Sequence, residues 1–286
     1  MGGSRRDTEI IHLPSESSCN VGEIFPFGRG GLISEQDIFM CDPNDSTLCY
    51  IYDINTLQSQ DTGVSVLKRP WTSSTIIGNQ LWITGGRLGA NDGPRTDITE
   101  LVTVEESKPG PPLHLPLSSH CVVTVNSTTV AVLGGLSLNS SDSGISETWF
   151  YHIKDNLWTP ERKADMNTAR RNFGCLSINT EGEDFIFVAG GHLISSTEMF
   201  NIAANEWENG PDLNFATSAL SLAWLTQDQS ILILGGVVNE KYSDKIYQSK
   251  CESYKNMETC EWIELGQKLK IPRGYSTIVQ MPDLLS

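Results

Sequence analysis

Apolar positions in this chain come in short runs separated by polar turns rich in Gly, Asn and Asp. The longest runs, such as Ile231-Leu232-Ile233-Leu234, are of strand length. No run approaches the roughly 18 apolar residues that a membrane span requires. Four runs end in a glycine pair: Leu81 to Thr84 before Gly85-Gly86, Val130 to Leu133 before Gly134-Gly135, Phe185 to Ala189 before Gly190-Gly191, and Ile231 to Leu234 before Gly235-Gly236. The first glycines are 49, 56 and 45 residues apart. A period near 50 residues marks an array of repeated β units. In the fourth unit the pattern predicts strands at 173–179, 185–189, 197–202 and 206–209. Their β-branched and aromatic residues alternate with turn residues. The second strand of each unit is apolar throughout, so both its faces are buried.

Other features keep the same phase. An aromatic residue precedes a Trp in Tyr151…Trp158, Phe200…Trp207 and Tyr254…Trp262. The Trp is expected to wedge between neighbouring units, because one four-stranded unit cannot bury its own faces. A degenerate copy lies upstream at Asp37 to Asp42, with Cys41-Asp42 in place of the glycines.

The double glycine, the spaced aromatic and Trp, and the period resemble the kelch-repeat family over roughly residues 20 to 281. The cysteine-bearing motifs around His120-Cys121-Val122 and Ser196-Thr197-Glu198 look most like secreted kelch proteins of invertebrates. The resemblance implies an all-β kelch-type β-propeller of six four-stranded blades. The last unit begins at Pro272-Arg273-Gly274 and stops after about one strand. The stretch Thr8 to Leu13 is therefore expected to complete that sixth blade, or the blade is incomplete. Residues 1–6 read as a disordered N-terminus, and residues 7–286 as one propeller domain.

The net charge of −15 argues against nucleic acid as a partner, because phosphate contacts need a basic surface. Met1 to Arg6 has no apolar segment after it and is not a secretory signal. Seven cysteines are present. Cys41 and Cys49 flank a turn between a second and a third strand, and Cys251 and Cys260 flank one between a third and a fourth. Both pairs are expected to be disulfides. Cys121 and Cys175, in the first strands of successive units, read as small apolar core residues that could instead pair with each other. Cys19 has no evident partner. Three sequons, at Asn44, Asn126 and Asn139, are compatible with secretion. Together these features favour an extracellular protein over a cytoplasmic one.

No metalloprotease, nucleophile-elbow, P-loop or dinucleotide motif occurs. The five histidines are scattered, His120 being read as structural, and no metal or cofactor is implied. The segment Ser140 to Trp149 resembles the aspartate box of sialidases but occurs once, between the wrong strands. The chain therefore reads as a non-enzymatic binding module. A sugar-processing propeller enzyme, sialidase- or oxidase-like, and a cytosolic kelch scaffold are the alternatives. In a kelch propeller the loops between strands 2 and 3, and those between strand 4 and the next strand 1, emerge on one face. The resemblance thus gathers Arg29, Arg69, Arg87, Arg95, Arg170, Arg171 and Arg273 there, with His192 and Lys241. Arg69, Arg87, Arg95, Arg170, Arg171, His192 and Arg273 are the candidate binding residues. Their partner would be a protein or an acidic or glycan ligand, since guanidinium forks bind anions bidentately. The competing expectation is that each Arg before a first strand pairs within the blades.

Overall fold

The computed structural model describes residues 7–11, 18–23, 29–34, 36–56, 58–138, 140, 142–154, 157–226 and 228–275. The chain is all-β, with the blade arrangement of a β-propeller. It forms two compact units, one drawn from residues up to Ser118 and the other from Ser119–Ser276. The first unit opens with a two-stranded antiparallel sheet, β1 (Asp7–Ile11) with β2 (Ser18–Glu23). Blade 1 follows as β3 (Arg29–Leu32), β4 (Asp37–Cys41), β5 (Leu48–Asp53) and β6 (Gln58–Ser65). Blade 2 is β7 (Ser73–Ile77), β8 (Gln80–Thr84), β9 (Thr99–Val102) and β10 (Ser107–Pro109).

The second unit holds three blades. Blade 3 is β11 (Cys121–Asn126), β12 (Thr129–Leu133), β13 (Thr148–Lys154) and β14 (Leu157–Arg162). Blade 4 is β15 (Gly174–Thr180), β16 (Glu183–Ala189), β17 (Thr197–Asn201) and β18 (Glu206–Gly210). Blade 5 is β19 (Ser221–Leu225) and β20 (Ser230–Leu234), then β23 (Lys245–Lys250) and β24 (Glu261–Lys268), all in one sheet. A small hairpin, β21 (Val237–Val238) with β22 (Lys241–Tyr242), rides on its 2–3 connection. Among the described residues no helix is long and apolar enough to cross a membrane.

Among the described residues five complete blades therefore replace the six expected. The stretch expected to complete a sixth blade instead enters the β1–β2 sheet through residues 8–11. Residues 271–275 form no strand, and 276–286 lie outside the described residues, as do His12, Leu13 and residues 1–6.

Alternation along each strand explains why these sequences stack. In β16, Phe185, Phe187 and Ala189 join one core with blade 5, whereas Ile186 and Val188 join another with blade 3. Successive side chains point to opposite faces of a strand, so a strand covered on both sides must be apolar at every position. The tryptophans lock the stack. Trp207 lies 5.0 Å from the Phe200 ring and donates its indole N–H to the carbonyl of Ala164, just past blade 3. Trp262 donates in the same way to Pro211, just past blade 4, and sits 5.9 Å from Phe187. In the first unit a further core joins Phe39, Cys41 and Val64 of blade 1 and its exit to Leu81, Ile83 and Val102 of blade 2.

Among the described residues three disulfides are present. Cys41–Cys49 closes the β4–β5 turn. Cys251–Cys260 closes the loop between β23 and β24 and carries a short 3-10 turn, Met257–Thr259. Cys121–Cys175 joins the first strands of blades 3 and 4. It corrects the reading of these two residues as small core side chains. They are also not equivalent. Cys121 pairs across its hairpin with the residue just before the glycine pair, Leu133, and so corresponds to Gly174. Cys175 is one step further on, opposite Val188. That single step turns it to the other face of its strand. A Cβ on Gly174 would meet Leu220 and Leu222 of the blade 5 side, so its neighbour Cys175 points back to blade 3, where Cys121 meets it.

Candidate functional site

The glycine pairs set the geometry of one edge of each unit. All eight glycines have positive φ, from 54° to 134°. That region favours residues without a Cβ. The amide of each second glycine donates to a backbone carbonyl in the segment that follows the blade, in the first three cases that of the residue four before the next first strand. Gly86 bonds Leu117, Gly135 bonds Arg170, Gly191 bonds Thr217 and Gly236 bonds Arg273, each at 2.8 Å. A Cβ on Gly190 would overlap the Thr217 carbonyl oxygen. The 2–3 connection of one blade is thus stitched to the entry of the next, and the candidate residues lie on either side of the seam.

Two of them are not at the surface. Arg170 has no exposure, nor has its partner Glu198. The Arg170 Nη1 donates to the carbonyls of Gly190 and Ser196, both at 2.7 Å. Its Nη2 reaches Ser196 Oγ and Glu198 Oε1, also at 2.7 Å. Glu198 in turn accepts the amides of Asn167 at 2.6 Å and Thr168 at 3.0 Å. Arg69 repeats the arrangement in blade 2. It is fully buried and donates to Gly85, Ile98 and Glu100, while Glu100 accepts the Leu67 amide. Burial pushes both guanidinium groups below their ordinary value, with the hydrogen-bonded carboxylate pulling back in each case. Arg69 and Arg170 are therefore buried inside their blades and not on the loop surface where the sequence pattern placed them. Each ties its own blade's 2–3 connection to the strand 3 carboxylate.

The remaining candidates divide between the units. In the first, Arg87 and Arg95 face each other across an isolated β-bridge. The Arg87 Nη1 bonds the Gly93 carbonyl at 2.9 Å, and the Arg95 Nε bonds Ser118 Oγ at 3.3 Å. In the second, Arg171 Nε bonds the Asp142 carbonyl, with the Asp142 carboxylate 3.7 Å from Nη2. His192 joins it through its amide, which donates to the Arg171 carbonyl at 3.0 Å. Arg273 Nε bonds the Ile271 carbonyl at 3.2 Å. Lys241 is exposed on the β21–β22 hairpin. Arg29 sits in β3, on the strand itself. Replacing Arg171 by Ala should therefore change unfolding free energy by no more than about 0.5 kcal/mol, in contrast to its buried neighbour. Denaturant titration of the two variants side by side checks this.

Residues that the sequence reading passed over share this edge. Large apolar side chains with strong exposure are concentrated there. In the second unit Leu138 is 64% exposed, Leu193 83% and Tyr242 46%, all on 2–3 connections. In the first unit Leu88 and Ile98 lie on a 2–3 connection, and Leu67 on the entry to β7. Among the described residues, Ile263 is the one exposed large apolar residue that lies within a blade strand. The available signal was position: Leu88, Leu138 and Leu193 each follow a glycine pair by two or three residues, outside any strand.

Among the described residues no three His, Cys, Asp or Glu side chains converge to hold a metal ion. His120 is buried, and His152 pairs with Glu161 on the β13–β14 surface. Of the sequons, Asn126 is exposed at the end of β11, Asn44 is half-buried in the Cys41–Cys49 loop, and Asn139 lies outside the described residues. No family model and no curated protein sequence matches this chain.

Proposed function

We propose that the protein is an extracellular, non-enzymatic binding module of the kelch type. Its second unit presents the edge carrying the 2–3 connections to a protein partner. The observation that carries this reading is the exposure of Leu138 and Leu193 beside Arg171 and His192 on that edge. Scattered exposed leucines are ordinary, but exposure as strong as that of Leu138 and Leu193, both on 2–3 connections, points to a surface that something covers. Arg171 adds a cation to the rim, which suits a partner segment that combines apolar and acidic side chains. The three disulfides support the extracellular placement.

The test replaces Leu138 and Leu193 together by Asp. Both side chains are exposed, so the fold should be kept. Affinity capture from the native source with the parent and the variant, compared by mass spectrometry, should show at least about a tenfold loss of the specific partner. Equal capture by a folded variant would remove the reading. Turnover of sialyl or galactosyl substrates would replace it with an enzymatic one.

A further inference from the structure

We propose that Asn126 carries an N-linked glycan, and that Asn44 does not. The inference rests on the extracellular reading above. Asn126-Ser127-Thr128 forms the turn between β11 and β12, and all three residues are exposed. The Asn126 carboxamide is already posed. Its Oδ1 accepts the Thr128 amide at 3.0 Å and the Thr128 hydroxyl at 3.1 Å. Asn126 is exposed, and among the described residues no hydrogen bond engages its Nδ2, so a bulky sugar can be housed there.

The other described sequon is built differently. Asn44-Asp45-Ser46 lies inside the short loop closed by Cys41–Cys49, and Asn44 is half-buried. The Ser46 hydroxyl donates to Asp42 at 3.2 Å rather than to the asparagine. Asp42 is itself buried and also accepts the amides of Asn44, Asp45 and Ser46. A glycan on Asn44 would have to open that knot.

The chemistry is a group transfer without redox change. The Asn126 amide nitrogen attacks the anomeric carbon of a polyprenyl-pyrophosphate-linked oligosaccharide. A C–N bond forms, the C–O bond to pyrophosphate breaks, and the amide releases one proton. The product would stand at the turn edge of blade 3. Strand β12 carries the chain about 15 Å from that turn before the connection holding Leu138 begins. The glycan would shield one edge of the unit and leave the loop edge open for the partner.

The test is peptide mapping of protein from its native source after amidase release of glycans in heavy-oxygen water, with fragment ions locating the label. Labelled Asp at position 126 and unlabelled Asn at 44 are expected. Alkylation of the intact chain without reduction is run on the same material. Paired cysteines with an unmodified Asn126 would overturn the inference while leaving the extracellular reading intact. Free cysteines throughout would overturn both. In secreting cells, T128V should lose one glycan-sized mass step and T128S should keep it. Retention of that step in T128V would place the sugar elsewhere and refute the assignment.

Discussion

Replacing Glu198 by Ala should destabilise the second unit by about 3–5 kcal/mol, the usual consequence of leaving one member of a buried ion pair without the other. The structure accounts for the size. Arg170 and Glu198 are fully excluded from solvent. Without the carboxylate, the Arg170 Nε and Nη2 lose an acceptor at 3.3 and 2.7 Å. The amides of Asn167 and Thr168 lose theirs as well. The guanidinium would keep Gly190 and Ser196 as acceptors but lose its counter-charge in a site where its own side chain has no exposure. Urea unfolding with the disulfides intact should show the midpoint falling accordingly. A change below about 1 kcal/mol would mean that Arg170 finds another acceptor.

The repeats supply the control. The position of Arg170 is occupied by Arg69 in blade 2 and by Thr217 in blade 5. The position of Glu198 is occupied by Glu100 in blade 2 and by Tyr247 in blade 5. Blade 3 has Trp149 at the latter position, and Leu117 takes the former. Across blades 2 to 5 Arg is present where Glu is present, and both are absent together; Arg273 holds the same position after blade 5 with no described strand 3 to supply a Glu. Exchanging Arg170 and Glu198 for the blade 5 pair, as R170T with E198Y, keeps nearly the same side-chain volume. The double variant should be less destabilised than the sum of its singles by at least about 1 kcal/mol. Strict additivity would show that the charges do not compensate each other.

That internal co-variation was legible from the residues alone, and it would have separated Arg170 from Arg171. A count of arginines per loop could not do so, because adjacent residues with the same chemistry have opposite fates. Arg170 turns inward to carbonyls that only the folded connection creates, and Arg171 turns outward to Asp142. The blades themselves were readable for a simpler reason. Strands such as Phe185 to Ala189, covered on both faces, leave an uninterrupted apolar run, and the glycine pair ends it. The sixth blade was overestimated because a lone alternating stretch like Thr8 to Leu13 carries no information about its partner, and β1 finds one in β2. Leu138 and Leu193 were missed because pattern reading assigns apolar residues to strands, and these lie outside every strand.

The second large effect concerns the disulfides, which differ in what they join. Removing Cys121–Cys175 with paired serines should lower stability by about 4 kcal/mol in the chain-entropy account, against about 2.6 kcal/mol for either short loop. The residues it joins are 54 apart in sequence, whereas the other pairs are separated by 8 and 9. The two short bridges fall within a single blade, where the sheet register already holds the ends together. Cys121–Cys175 ties the first strands of two blades, which are otherwise joined by the connecting chain, side-chain packing, hydrogen bonds such as Trp207 to Ala164 and the loop seam. Unfolding midpoints of the three paired-serine variants in denaturant check the ranking. An equal or smaller loss for Cys121–Cys175 would mean that the packing of Phe150, Phe173 and Phe200 between blades 3 and 4 already restrains the unfolded chain. The expected ranking would instead make the one-residue offset of Cys175, which turns it toward Cys121, the sequence detail that couples blade 3 to blade 4.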